Sequence, residues 1–143
     1  DGFKTINDTL GHHTGDRLLV AVAERLASLF RSSDTVARFG GDEFTIIVPD
    51  INQEVDTHLI AEKIISGFAL PYEIAGYGQI TLSTSIGIAI CNAENCVWKT
   101  VVEHADIAMY SAKTAGKNQY RVYQPGMLNT AVEYIQSRHA LEI

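Results

Sequence analysis

Cysteine is nearly absent: the 143 residues hold only Cys91 and Cys96. Their spacing matches no zinc-ligand pattern, which excludes a structural metal ribbon, and they are read as buried or incidental thiols rather than as a disulfide. Positive charge is also short. Eleven Lys and Arg face 17 Asp and Glu, a net charge of -6, and no basic stripe exists to follow a phosphate backbone, so no nucleic acid is expected as a partner. No apolar run approaches the roughly 20 residues that span a bilayer, and no signal peptide is visible. A soluble cytoplasmic domain is expected, free-standing or as the cytoplasmic part of a membrane-bound sensor. What is present is 46% hydrophobic residues, enough for the core of one domain in a chain too short for two.

The stretch Arg38-Phe39-Gly40-Gly41-Asp42-Glu43-Phe44 lies between two β-prone runs, Thr35-Val36-Ala37 and Thr45-Ile46-Ile47-Val48. That pattern predicts a hairpin with a tight glycine turn. Gly40 and Gly41 leave no Cβ between the backbone and an approaching ligand. Asp42 and Glu43 are hard oxygen donors of the kind that hold Mg²⁺ beside phosphates. Alternation along the strand sends the two carboxylates to opposite sides. A plain solvated turn would carry the same letters.

Around this turn, Asp1 to Gly15 is read as a loop leading to Asp16, which is placed to cap a helix reaching Phe30 on the stripe Leu18, Val22, Leu26, Leu29 and Phe30. Arg17, Glu24 and Arg25 fall on its other face. His12 and His13 lack a third ligand nearby and are read as structural or solvated. A packing helix is predicted over 53–70, with Val55, Leu59, Ile60, Ile64 and Phe68 inward and Glu54, Asp56, Glu62 and Lys63 toward water. A second hairpin follows: Tyr72 to Ala75, a Gly76-Tyr77-Gly78 turn, and a long arm from Gln79 to Ile90. A helix over 99–115 stops at Gly116, and a last strand covers Tyr120 to Tyr123. Beyond it, Met127 to Ile135 begins another helix.

Gly40-Gly41-Asp42-Glu43-Phe44 resembles the signature of the GGDEF family, the diguanylate cyclases. The likeness extends along the chain. Asp1, Phe3, Lys4, Asn7, Asp8, Gly11, His12, Gly15 and Asp16 fall in register on the family pattern D-x-D-x-F-K-x-x-N-D-x-x-G-H-x-x-G-D. Ser85-Ile86-Gly87-Ile88-Ala89 is similar to the family's penultimate core strand, and Ala105 to Asn118 to its last motif, with Lys117 at a commoner arginine.

The resemblance implies an α/β sandwich of the nucleotidyl-cyclase, palm-like (ferredoxin-like) type, with a central, mostly antiparallel sheet flanked by helices. It implies joining two GTP into cyclic di-GMP, with Mg²⁺ or Mn²⁺ as cofactor and a homodimer as the working form. Asp42 and Glu43 would be the catalytic, metal-binding carboxylates, Glu43 either binding metal or helping to deprotonate the 3′-hydroxyl. Asn7 and Asp16 would read guanine. The amides of Gly2, Phe3 and Lys4, the bare Gly40-Gly41 backbone, and Lys113 with Lys117, one helical turn apart, would meet the phosphates. Arg31 and Asp34 would form the inhibitory product site. The first aspartate of D-x-D would lie upstream of Asp1, so residues 1–123 are expected to be a GGDEF domain lacking its first helix and strand. Residues 124–143 would be a linker helix leading to an EAL phosphodiesterase domain. Two rival readings remain: a silent GTP-binding module that regulates such a neighbour, and a cyclic di-GMP receptor.

Overall fold

Apolar residues at helical spacing dictate the longest helix. Leu18, Leu19, Val22 and Leu26 are its buried face, and α2 (His12–Leu29) is built on them. This is a computed structural model, and it describes residues 1–127; most of the expected linker helix lies outside the described residues. The chain divides into two units, Asp1–Ser83 and Thr84–Ile143.

In the first unit, α2 begins earlier than its sequence suggests. Gly11, at φ 89, ends α1 (Phe3–Leu10) and opens α2 with no side-chain cap, so Asp16 lies inside the helix rather than at its start. The expected loop is therefore largely helical. Phe3, Ile6, Asn7 and Leu10, half-buried at positions i, i+3, i+4 and i+7, give α1 its inward face. Only three of them are apolar, which is why the short helix reads as a loop.

Next come β1 (Thr35–Gly40) and β2 (Glu43–Ile47), an antiparallel hairpin with a bulge between Arg38 and Gly40. Helix α3 (Glu54–Phe68) starts at Gln53, whose N–H donates to Asp56. Its buried face is Thr57, Ala61, Ile64 and Phe68, while Val55 and Leu59 are exposed, so the packed stripe is rotated from the expected one. Strands β3 (Tyr72–Ile74) and β4 (Gly78–Ile80) form the second hairpin. The expected long arm breaks after Ile80, and its other half, β5 (Ile86–Ile88), belongs to the second unit.

Three basic residues expected at the surface donate instead to backbone carbonyls. Arg17 reaches Ala75 O, and Lys63 reaches Leu29 O at the end of α2. Arg25 holds Gly67, Leu70 and Pro71 carbonyls at 3.1, 2.6 and 2.8 Å, with its guanidinium carbon 3.5 Å from the Tyr72 ring centroid. These carbonyls belong to the last turn of α3 and the segment that leads from it to β3. Tyr72 is 1% exposed, and burial pushes its hydroxyl above its ordinary pKa, with the Arg25 charge pulling it back. Arg25→Met should therefore lower stability by about 2–3 kcal/mol, the scale of charged hydrogen bonds lost from a packed joint. Urea unfolding checks this, and a loss below about 0.5 kcal/mol would reduce the contacts to surface decoration.

In the second unit, helix α4 (Trp98–Thr114) buries Ile107, Ala108 and Ala112. It packs on β5 and β6 (Tyr120–Val122), which pair in parallel through Ile86↔Tyr120, Gly87↔Arg121 and Ile88↔Val122. The described strands thus form two antiparallel ladders and one parallel ladder with helices against them, the mixed α/β architecture expected. Cys91 and Cys96 correct the sequence reading: both are exposed and they are joined as a disulfide, Cα–Cα 5.5 Å. A short 3-10 turn, Ala93–Asn95, folds the chain back and brings them together.

Candidate functional site

The glycine-rich turn is built as its letters suggest. Gly40 has φ 151 and Gly41 φ 52, and a Cβ at either would meet nothing within 4 Å. Both φ values lie in the region that favours glycine, and open space surrounds both. Arg38 Nε donates to Gly41 O at 2.8 Å, bracing the turn across its base. Asp42 is exposed at the tip, while Glu43 is half-buried and pairs with Gly40 as the first residue of β2. The two adjacent carboxylates thus stand in different surroundings.

A second cluster lies where α1 meets α2. Asn7 Nδ2 is 2.9 Å from His12 Nδ1, so the imidazole orients the amide. Gly15 is buried beneath it, and a Cβ there would overlap Asn7 Oδ1. Asp16, next along α2, is exposed. Gly2, at φ 80, precedes α1, leaving the first-turn amides of Phe3 and Lys4 without helical acceptors. The supporting roles of His12 and Gly15 come from packing; the only sequence signal was their place in the motif. Gly15→Ala should push Asn7 aside and, if Asn7 reads the guanine that the resemblance implies, weaken GTP binding about 10-fold, the scale of one misplaced polar contact. Calorimetry tests this; unchanged affinity would remove Asn7 from base recognition.

Arg31 and Asp34 close a tight turn after α2. Asp34 N–H donates to Arg31 O at 3.0 Å, and Arg31 N–H donates to Asp34 Oδ2 at 2.9 Å. The Arg31 side chain is 73% exposed, with Nε 3.9 Å from Asp34, whose own side chain is 4% exposed. Asp34 Oδ1 is buried with no hydrogen-bond partner. The exposed Arg31 guanidinium is thus the group a ligand can reach, and the buried Asp34 carboxylate holds the turn behind it.

The lysines are arranged differently from expectation. Lys113 is in the last turn of α4, but the helix ends at Thr114, and Lys117 lies beyond it at φ 62 with its N–H on Ala112 O. They are not one helical turn apart, because Gly116 at φ 124 turns the chain out of the helix first. In the first unit, α1 and β1 both pack on α2. Among the described residues no three His, Cys, Asp or Glu side chains converge as a metal cage. Two carboxylates beside an open backbone still fit Mg²⁺, which takes one or two carboxylates and completes its shell with phosphates and water.

The model of the family described as "Diguanylate cyclase, GGDEF domain" matches residues 1–119, and the chain belongs to that family. Among curated proteins it is 40% identical over 141 residues to the bifunctional diguanylate cyclase/cyclic di-GMP phosphodiesterase MucR of Pseudomonas aeruginosa, covering 99% of this chain and 20% of MucR. The chain thus spans about a fifth of that relative's length. Among solved structures, an EAL/GGDEF domain protein from M. capsulatus is 47% identical with a TM-score of 0.79, over 87% of this chain and 80% of that one. The GGDEF domain of TpbB from Pseudomonas aeruginosa superposes with a TM-score of 0.83 at 35% identity, over 91% of this chain and 76% of that one. The fold is therefore that of the GGDEF cyclase domains.

Proposed function

We infer that this domain is a diguanylate cyclase that joins two GTP into cyclic di-GMP and releases two pyrophosphates. The observation that carries the reading is the intact, open Gly40-Gly41-Asp42-Glu43 turn, with both carboxylates present. Each 3′-hydroxyl loses its proton and attacks the α-phosphate of the other GTP, so two domains must face each other, each holding one nucleotide. Bound Mg²⁺ would offset triphosphate charge and ease departure of pyrophosphate.

The chain's own residues supply the rest by positioning. Asp42 is assigned to the metal, with an aspartate upstream of Asp1, and Glu43 to the metal or to the 3′-hydroxyl proton. Asp16 accepts from the N1–H and N2–H₂ edge of guanine, while Asn7, oriented by His12, donates to and accepts from the ring. Amides at Gly2, Phe3 and Lys4 and the Gly40-Gly41 backbone admit the phosphates. The family pattern gives Lys113 and Lys117 to the phosphates, Lys117 as a point charge without the fork of arginine.

Product would bind at Arg31 and Asp34, the exposed Arg31 guanidinium taking a phosphate or stacking on guanine while the buried Asp34 carboxylate braces the turn that presents it. Arg31→Ala should relieve inhibition by added cyclic di-GMP about 10-fold or more, leaving the uninhibited rate unchanged. An unaltered inhibition curve would dismiss the site. A cytoplasmic setting, alone or below a membrane sensor, fits a GTP-consuming enzyme.

A second reading rests on the name of MucR, which includes a phosphodiesterase. There the domain would bind GTP without turnover and control an EAL domain in the same chain, or serve as a cyclic di-GMP receptor. The test is GTP turnover with Mg²⁺ on a chain extended upstream of Asp1. Cyclic di-GMP formation supports the cyclase, and tight GTP binding without product supports the regulatory module.

A further inference from the structure

Within the second unit, the Cys91–Cys96 bridge spans the loop that leaves β5 and enters α4. Cys91, with Ile90, Asn92, Val97, Thr100 and His104, lines a cleft of about 280 Å³. The His104 ring, on α4, stacks on Tyr123 with centroids 3.8 Å apart, so that wall of the cleft is fixed by packing. The opposite rim is the loop itself, whose Ile90 and Val97 are 49% and 61% exposed, with Trp98, the first residue of α4, 55% exposed beside it. Within this rim the bridge closes the segment that the 3-10 turn Ala93–Asn95 folds back.

The bridge is not what holds β5 to α4. Gly87 brings the strand so close to the helix that a Cβ would overlap Ala105 O and the Met109 backbone, and α4 buries Ile107, Ala108 and Ala112 independently of the loop. A disulfide closing so short a loop also removes little entropy from the unfolded chain. Its opening is therefore local. Both cysteines are exposed, so a thiolate can reach either sulfur, and exposed bridges are the labile kind.

We propose that Cys91 and Cys96 are a reversible thiol–disulfide exchange site for dithiol reductants, and that the bridge is a clasp on the rim of the cleft. A dithiol's thiolate attacks one sulfur and forms a mixed disulfide, and the other cysteine leaves as a thiolate that takes up a proton. The reagent's second thiol then displaces the first cysteine, closing the reagent's own disulfide. Two electrons and two protons pass from reagent to protein, which ends with two thiols. Oxidation by a small disulfide reverses the exchange. The reduced loop swings free of its turn while β5, β6 and α4 stay packed.

The test treats the whole folded chain with dithiothreitol and alkylates it with iodoacetamide under native conditions. Trp98, the only tryptophan, reports the loop by its fluorescence. Two alkylated cysteines per chain are expected, with a shifted Trp98 emission, proteolysis within 91–97 faster by about 10-fold and an unchanged circular dichroism spectrum. The Cys91→Ser, Cys96→Ser double variant should match the reduced protein whatever the redox buffer. Alkylation only after denaturation would overturn the proposal. So would reduction that melts the unit, or alkylation that leaves Trp98 and loop cleavage as they were.

Discussion

Replacing Asp42 and Glu43 together with alanine is expected to abolish cyclic di-GMP formation, by at least about 10³-fold, while the melting transition moves by no more than a degree or two. The asymmetry follows from where the residues sit. Asp42 is exposed on a turn and Glu43 begins an edge of the hairpin, so neither belongs to the core, and surface changes of this kind are usually worth within about 0.5 kcal/mol. Carboxylates assigned to hold a metal against a triphosphate would act on nucleotide binding and on the chemistry, not on folding. Asp42→Asn separates charge from shape: it keeps the size and a carbonyl oxygen but loses the negative charge, and it should cost most of the same rate. Synthesis persisting in the double variant would remove both residues from the chemistry.

Gly87→Ala is expected to have the largest effect on stability, about 3 kcal/mol or more, above the ordinary cost of overpacking. One methyl group is enough because its neighbours are the backbone of α4 at Ala105 and Met109, which cannot swing aside as a side-chain tip would. The small residues Ala108 and Ala112 on the same helix, each 0% exposed, allow the close approach. Chemical unfolding of the variant gives the number directly. A loss under about 1 kcal/mol would mean that β5 and α4 have room to part.

The hairpin around Gly40-Gly41 was legible because turn chemistry is local: two glycines between β-prone runs leave few alternatives. Helices α2 and α4 were legible from their apolar stripes. What escaped depends on backbone partners distant in sequence. Arg17, Arg25 and Lys63 look like solvent-facing charges on a helical wheel, yet each donates to a carbonyl of another segment, and no side-chain pattern encodes a carbonyl. Helix α1 escaped because a short segment with three apolar residues carries little periodic signal. The stop before Lys117 was visible as Gly116, but its consequence, a lysine outside the helix, needed the backbone angle. The candidate site shows the same division. The motif pointed to Asn7, Asp16, Arg31, Asp34, Asp42 and Glu43, whereas His12 steadying Asn7, Gly15 making room for it and the orphaned Asp34 oxygen are facts of packing.

The central claim is tested most directly by cyclic di-GMP production from GTP and Mg²⁺, followed across a range of protein concentrations on a chain extended upstream of Asp1. Because each domain is assigned one GTP and two must meet, the initial rate should rise more steeply than linearly with protein concentration until the dimer saturates, then in proportion to it. GTP bound tightly at every concentration with no cyclic di-GMP formed would contradict the cyclase and leave a nucleotide-binding regulatory module in its place.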